Sequence, residues 1–215
     1  MKSFLRTSAI LVASGIAFTP LHAQGIYVGL RGGAGIPTGS FNENSTSSGS
    51  STAVLDAAKT GFGYGLDAGL QMGMLGVYGG FDHINFDCES TSCNTEGKYR
   101  LQGLAVGLKL IAPGMSAFHP WVKGGVTFNE LQGGYGTGHT ELTTDRKPGF
   151  EIGAGIDIPL LGLINFTPQA RYVGQNFNYK VPGVTSTTTA DNQGVNYITF
   201  DLGLTVHNPL SGLHR

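Results

Sequence analysis

Charge is scarce in this chain. Only 13% of its 215 residues are Asp, Glu, Lys or Arg, about half the quarter that is usual in soluble domains, so something other than a charged surface must keep the protein dispersed. The formal net charge is -1 and the basic residues are scattered rather than clustered, which leaves no electrostatic reason to expect nucleic acid as a partner. Cysteine is nearly missing. The two that occur, Cys88 and Cys93, lie close together in Asp87-Cys88-Glu89-Ser90-Thr91-Ser92-Cys93-Asn94 and cannot make a four-ligand metal site alone. In an exported protein they are expected to form a local disulfide that pins a loop, free thiols being the alternative. Long apolar runs are also wanting: none beyond the N-terminal region reaches the roughly 20 residues of a membrane-spanning helix, so any membrane residence must come from strands.

What is abundant is glycine, with 35 residues but no Gly-X-Y period. Much of it alternates with apolar residues in strand-like runs, a pattern that calls for a geometric explanation. The N-terminus carries a secretory signal pattern. Lys2 and Arg6 supply the positive end, Ala9 to Phe18 the apolar core, and Leu21-His22-Ala23 a cleavage site. The expected division is a signal peptide over 1–23 and one mature domain over 24–215. A spanning helix is the alternative, but the apolar core is too short and Pro20 follows it. With no Cys after the cleavage site, a lipoprotein anchor is not expected.

The mature region shows a period of two, the mark of strands. In the last and clearest stretch, Ile198, Phe200, Leu202, Leu204 and Val206 share one face, opposite Thr199, Asp201, Gly203, Thr205 and His207. In the first, Ile26, Val28, Leu30, Ala34 and Ile36 oppose Tyr27, Gly29, Arg31, Gly33 and Gly35. Six more fall between, over 61–73, 77–87, 98–112, 118–131, 149–159 and 164–180. Phase is ambiguous in the third and fourth, where His83 and Ile84, or Leu101 and Gln102, would mark bulges. The connections alternate in length. Turns at 72–76, 113–117 and 160–163 are short, whereas 38–60, 88–97, 132–148 and 181–195 are long and, at 42–52 and 185–191, rich in Ser, Thr, Gly and Asn. Short turns on one side and long loops on the other describe an eight-stranded antiparallel up-and-down transmembrane β-barrel with both termini in the periplasm.

Volume decides which face is enclosed. Eight strands leave an interior just wide enough for side chains or one small ligand, and the apolar face, with roughly five large residues per strand, would overfill it. The glycine-rich face suits a narrow lumen. That places Arg31, Lys109, Lys123 and Arg171 inside with Asp67, Glu151, Asp157, Asp201 and, where the phase is ambiguous, Asp82. Isolated charges there would cost several kcal/mol each, so pairing is expected: Arg31 with Asp67 or Asp201, Arg171 with Asp201 or Glu151, and Lys123 with Asp157. Outward aromatics Phe62, Tyr64, Phe128 and Phe150 would form a girdle at the loop ends. Tyr99, Phe177 and Tyr197 would join it only if the pleat slips. A soluble barrel, apolar within, is the fold-level rival.

The phrases Ile26-Tyr27-Val28-Gly29-Leu30-Arg31-Gly32-Gly33, His119-Pro120-Trp121-Val122-Lys123-Gly124-Gly125-Val126, Phe150-Glu151-Ile152-Gly153-Ala154-Gly155 and Ala170-Arg171-Tyr172, with the final strand over 197–207, resemble the small outer-membrane β-barrel domains of the OmpA-like and OmpX-like type. The resemblance covers essentially the whole mature chain and speaks to architecture more than to activity. Members typically end in an aromatic residue that assists insertion, whereas 208–215 runs past the strand here. No peptidoglycan-binding domain is expected after the barrel, so a cell-wall tethering role does not carry over.

Catalytic patterns are not evident. His83, His119, His139 and His207 lie on separate strands or loops, His22 leaves with the signal and His214 sits in the tail, so no nucleophile, His and carboxylate are brought together. Gly153-Ala154-Gly155 lies in a strand, where no helix N-terminus can receive a phosphate, and neither a metal cluster nor a cofactor site is indicated. The expected role is structural or surface-interacting, with four external loops on a rigid scaffold. Expected partners are outer-membrane lipid and lipopolysaccharide plus an unidentified loop ligand, and a monomer is expected. A small channel or carrier for a hydrophobic compound is the alternative, and a lipid-modifying enzyme a third.

Overall fold

A computed structural model of the chain describes residues 24–41, 58–87, 98–113, 118–135, 140–179 and 190–209. The signal region, both cysteines, His139 and His214 lie outside the described residues, as does the proposed disulfide. Among the described residues there are nine strands: β1 (Gln24–Thr38), β2 (Gly61–Met72), β3 (Leu75–Asp87), β4 (Lys98–Ile111), β5 (His119–Tyr135), β6 (Thr140–Thr143), β7 (Lys147–Leu161), β8 (Ile164–Tyr179) and β9 (Ala190–Pro209). Among the described residues no helix is long and apolar enough to cross a membrane.

All pairings are antiparallel, in the order β4-β3-β2-β1-β9-β8-β7-β5, and a further pairing of β4 with β5 closes the sheet into an eight-stranded barrel. Closure leaves none of these eight strands with an unpaired edge. The short strand β6 pairs only with the far end of β5. It is a continuation of β7, interrupted at residues 144–146, where Thr144 bonds Leu131 through both backbone and hydroxyl. The connection expected as a loop over 132–148 therefore contains a hairpin that extends the wall beyond the barrel rim, and β9 likewise begins at Ala190, inside the expected loop over 181–195.

Two of the short turns, between β2 and β3 and between β7 and β8, are described in full, and both are tight. Gly73 and Gly162 adopt positive φ, 64° and 52°, a region open to glycine at little steric cost. Gln24 pairs with Met72 and Gly25 with Pro209, so both ends of the barrel chain lie on the side of the short turns.

The apolar face points outward. Phe62 is 73% exposed and Leu202 63%, and large exposed apolar side chains occur on all eight barrel strands. This surface far exceeds the few hundred Å² of contiguous apolar patch that a soluble monomer tolerates. The soluble rival is thus excluded by the direction of the side chains. Phe62, Tyr64, Phe128 and Phe150 stand outward near the loop ends.

Two expectations fail in β3 and β4. Their registers run without a shift from Leu75 to Asp87 and from Lys98 to Ile111, so there is no bulge at His83 and Ile84 or at Leu101 and Gln102. Alternation is strict, and it turns Ile84, Phe86, Tyr99 and Leu101 into the barrel. Tyr99, Phe177 and Tyr197 also face inward and do not join the girdle. The register irregularities that do occur lie between Pro159 and Leu161 and between Phe177 and Tyr179, at strand ends.

Candidate functional site

Two tiers of side chains line the lumen, set by where each strand's inward positions fall along the axis. On the loop side Ile84, Phe86, Tyr99, Leu101, Leu131, Val173, Phe177, Val195 and Tyr197 form one buried apolar cluster, completed by Phe41 and Ala58 from the two feet of the first long connection. Phe41 meets Phe86 edge-on at 5.2 Å between ring centroids, and Phe86 meets Tyr197 at 5.5 Å. Ala58 donates its backbone N–H to the Phe41 carbonyl at 3.0 Å. Below this tier the interior is polar.

Arg31 and Arg171 lie at the centre, 4% and 2% exposed. Arg31 donates to Asp67 at 2.8 Å and to Asp82 at 2.7 Å, and its Nε stands 3.8 Å from Asp201. Arg171 donates to Asp82 through both terminal nitrogens, at 3.0 and 2.9 Å, to Glu151 at 3.1 Å and through Nε to Asp201 at 3.1 Å. The planar guanidinium supplies several fixed donors, which is why Arg rather than Lys can serve three carboxylates at once. Tyr78 donates its hydroxyl to the other oxygen of Glu151. Thr199 donates to Asp201 at 2.9 Å.

Toward the short turns, Lys109 donates to Asp157 at 3.0 Å, and the same carboxylate accepts from the Trp121 indole and from Thr167, each at 3.0 Å. The Lys109 ammonium also lies over the Trp121 ring, 4.4 Å from its centroid, a geometry that favours the cation. Lys123 is therefore not the partner of Asp157. It stands 3.7 Å from Asp67 Oδ1 and over the Tyr78 ring at 4.9 Å. The reason is register: Lys109 and Lys123 are directly paired across β4 and β5, and both compete for the nearby acid.

The glycines make room for these side chains. Gly65 is paired with Arg31, and a Cβ on it would lie 2.5 Å from Arg31 Nη1. A Cβ on Gly107 or Gly125 would lie 2.8 or 2.7 Å from the Tyr78 hydroxyl oxygen. Glycine opposite a long polar side chain is the geometric explanation the composition required.

All eight lumen residues expected from the sequence, Arg31, Asp67, Lys109, Lys123, Glu151, Asp157, Arg171 and Asp201, face inward. Asp82, the ambiguous ninth, sits between the two arginines. Tyr78 was missed, and so was the apolar tier apart from Tyr99, Phe177 and Tyr197, which strict alternation already turns inward. Strict period-two phasing of β3 from Gly76 to Phe86 is the signal that locates Tyr78, Asp82, Ile84 and Phe86 together.

His83 stacks on Tyr64 on the outer face and His207 on Tyr27, with centroids 5.0 and 5.5 Å apart. Among the described residues no group of three His, Cys, Asp or Glu is placed to hold a metal.

No protein-family model matches the chain, and no curated protein matches it by sequence. Solved structures do match by shape. Neisserial surface protein A (NspA) superposes with a TM-score of 0.59 at 11% sequence identity, over 84% of this chain and 96% of that one. The outer membrane protein OprG from Pseudomonas aeruginosa gives 0.54 at 11% identity, over 87% and 96%. At such identity the likeness is one of fold. With its closed sheet, apolar exterior and alternating connections, the chain has the fold of the small eight-stranded outer-membrane β-barrels.

Proposed function

We propose that the protein resides in the outer membrane with its apolar belt in lipid and lipopolysaccharide, its lumen closed to ions, and its long connections presented outside as a binding surface. The observation that carries this is the lumen itself. Its central cations and carboxylates bond one another across the barrel, and the cavity beside them measures about 30 Å³, room for water and not for a permeating solute. A rigid, closed barrel supports loops well, and binding residues concentrate on loops held by such a scaffold. The role is structural or surface-interacting, by a monomer, without a catalytic step or cofactor.

Cell fractionation with heat-dependent gel mobility tests the location. Recovery in the outer membrane with a heat-induced shift is the expected result, and a soluble, unshifted protein would refute it. Planar-bilayer recording tests the closed lumen, since steady ion-selective openings would contradict it.

The second reading, a carrier for a hydrophobic compound, draws on the apolar tier beneath the long connections. Saturable binding of a fluorescent fatty acid, lost on replacing Leu101 or Val173 by Asp in a variant that still folds, would favour it over the first.

A further inference from the structure

The outward apolar face is not uniformly bulky. Halfway along β7 and β8 its side chains are small, Ala154 being paired with Ala170, and beside them Pro120 of β5 and Pro168 of β8 present flat rings. A groove of about 1150 Å³ runs over these residues, from Met74 and Pro113 at the short turns to Phe200 and Leu202 of β9. Its course follows the register. Leu110, Val122, Ala154, Ala170 and Phe200 are successive cross-strand partners, and a second outward row of the lining, from Pro120 to Leu202, lies two residues nearer the short turns. Larger side chains bank the groove on both sides. Ile152, Tyr172 and Ile198 are partners in the outward row above it, and Ile158, Phe166 and Leu204 in the row below.

Closure of the sheet makes the groove climb. Followed partner by partner round the barrel, the row that begins at Leu110 returns to β4 at Arg100, ten residues nearer the loops. The steps from β4 to β9 are half of the circuit, so they carry the row half of that displacement, to Phe200 and Leu202 near the middle of the outward apolar run from Ile198 to Val206. Four interstrand spacings of roughly 4.8 Å make the groove about 19 Å long. At a strand tilt of about 45° such a row rises about 13 Å, close to half of a hydrocarbon core roughly 30 Å thick.

We propose that the groove seats one acyl chain of a phospholipid from the periplasmic leaflet, an inference that rests on the outer-membrane reading above. The groove starts at the short turns, where the head groups of that leaflet lie, and ends near mid-depth, where its chains end. It offers its occupant hydrocarbon, because the polar side chains of the intervening row turn into the lumen, where Asp201 accepts from Arg171 at 3.1 Å. A chain lying between the two banks gains dispersion contacts on three sides, which a flat wall does not provide. A flexible chain can follow an oblique furrow two rows wide, whereas the wall of a second copy is a convex surface of fixed strands and cannot enter it. The chains of lipopolysaccharide belong to the loop-side leaflet, above the end of the groove.

The test is photolabelling of the full mature protein in phosphatidylcholine vesicles doped with a phospholipid that carries a diazirine at one acyl-chain end, with adducts located by peptide mass spectrometry. Expected is labelling around Ala170, Phe200 and Leu202 several-fold above that around Leu66 and Phe81, which are paired on the opposite wall. In the double variant Ala154→Phe and Ala170→Phe, checked for folding by heat-dependent gel mobility, the excess should disappear. The comparison of walls in the parent protein holds whether or not that variant folds. Equal labelling of the two walls would overturn the proposal, and so would a groove labelled less than the opposite wall, the pattern left by a second copy seated on it. A lack of adducts on both walls is a separate failure, since it would refute the lipid-facing belt itself and the groove's occupant with it.

Discussion

Replacing Arg171 by Met removes the donor that three carboxylates share. The substitution keeps much of the side-chain volume but leaves Asp82 with Arg31 at 2.7 Å, Glu151 with the Tyr78 hydroxyl, and Asp201 with Thr199 at 2.9 Å and the more distant Arg31 Nε at 3.8 Å. Glu151 is the worst placed. It is 1% exposed, and its ion-pair contact, at 3.1 Å, is with Arg171. Removing one partner of a buried pair costs about 3–5 kcal/mol, because the remaining charge stays desolvated and uncompensated. A loss of that size is expected for Arg171→Met, read as a lower urea midpoint in lipid vesicles with gel mobility as a second probe. Arg171→Met combined with Glu151→Gln should recover part of the loss, since the second change removes the stranded charge, and a coupling of about 0.5–3 kcal/mol is the expected signature of contact. If Arg171→Met unfolds within about 1 kcal/mol of the parent, the carboxylates are not held as buried ions by this guanidinium, and the account of the lumen fails.

Three further outcomes follow from the same geometry. Leu30 is 58% exposed at the middle of β1, so Leu30→Arg should cost about 2–4 kcal/mol in a bilayer if that face meets hydrocarbon at mid-depth; a neutral result in vesicle unfolding would contradict a lipid-facing belt. Gly65→Val places its branched carbon in the Arg31 guanidinium, and a destabilisation of about 1–3 kcal/mol from overpacking is expected. Unchanged heat-dependent mobility and urea midpoint would count against the contact. Trp121 is the sole tryptophan and is buried in the lumen against Asp157 and Lys109. Its fluorescence should therefore resist acrylamide in the folded state and become quenchable on unfolding, whereas quenching like that of an exposed indole would place it outside the barrel.

The candidate site was legible wherever alternation continued without interruption. In β1, β8 and β9 the inward set, Arg31, Arg171 and Asp201, follows directly from period two, and the apolar set opposite is too bulky to enclose. In β3 and β4 the same rule was harder to apply. Ile84, Phe86 and Leu101 are apolar residues on the enclosed face, so hydrophobicity mimicked a change of phase. The backbone keeps its register, and the composition of the lumen changes instead, from charged to apolar along the axis. Partner choice was less legible still. Lys123 and Lys109 are equivalent by face, and only the cross-strand register and the position of Trp121 assign Asp157 to Lys109.

Periodicity, scarce charge, glycine opposite long polar side chains and alternating connection length determined, from the sequence by itself, an eight-stranded barrel turned apolar side out. These are properties of each strand and of the order of strands, and they can be read one segment at a time. Only the tertiary structure decided that Asp82 bridges two arginines, that Lys123 stands apart from Asp157, and that an apolar tier lies on the loop side of the charges. Those outcomes depend on shear and register around the closed sheet, which bring residues from six strands to one level of the lumen, and no single strand carries that information.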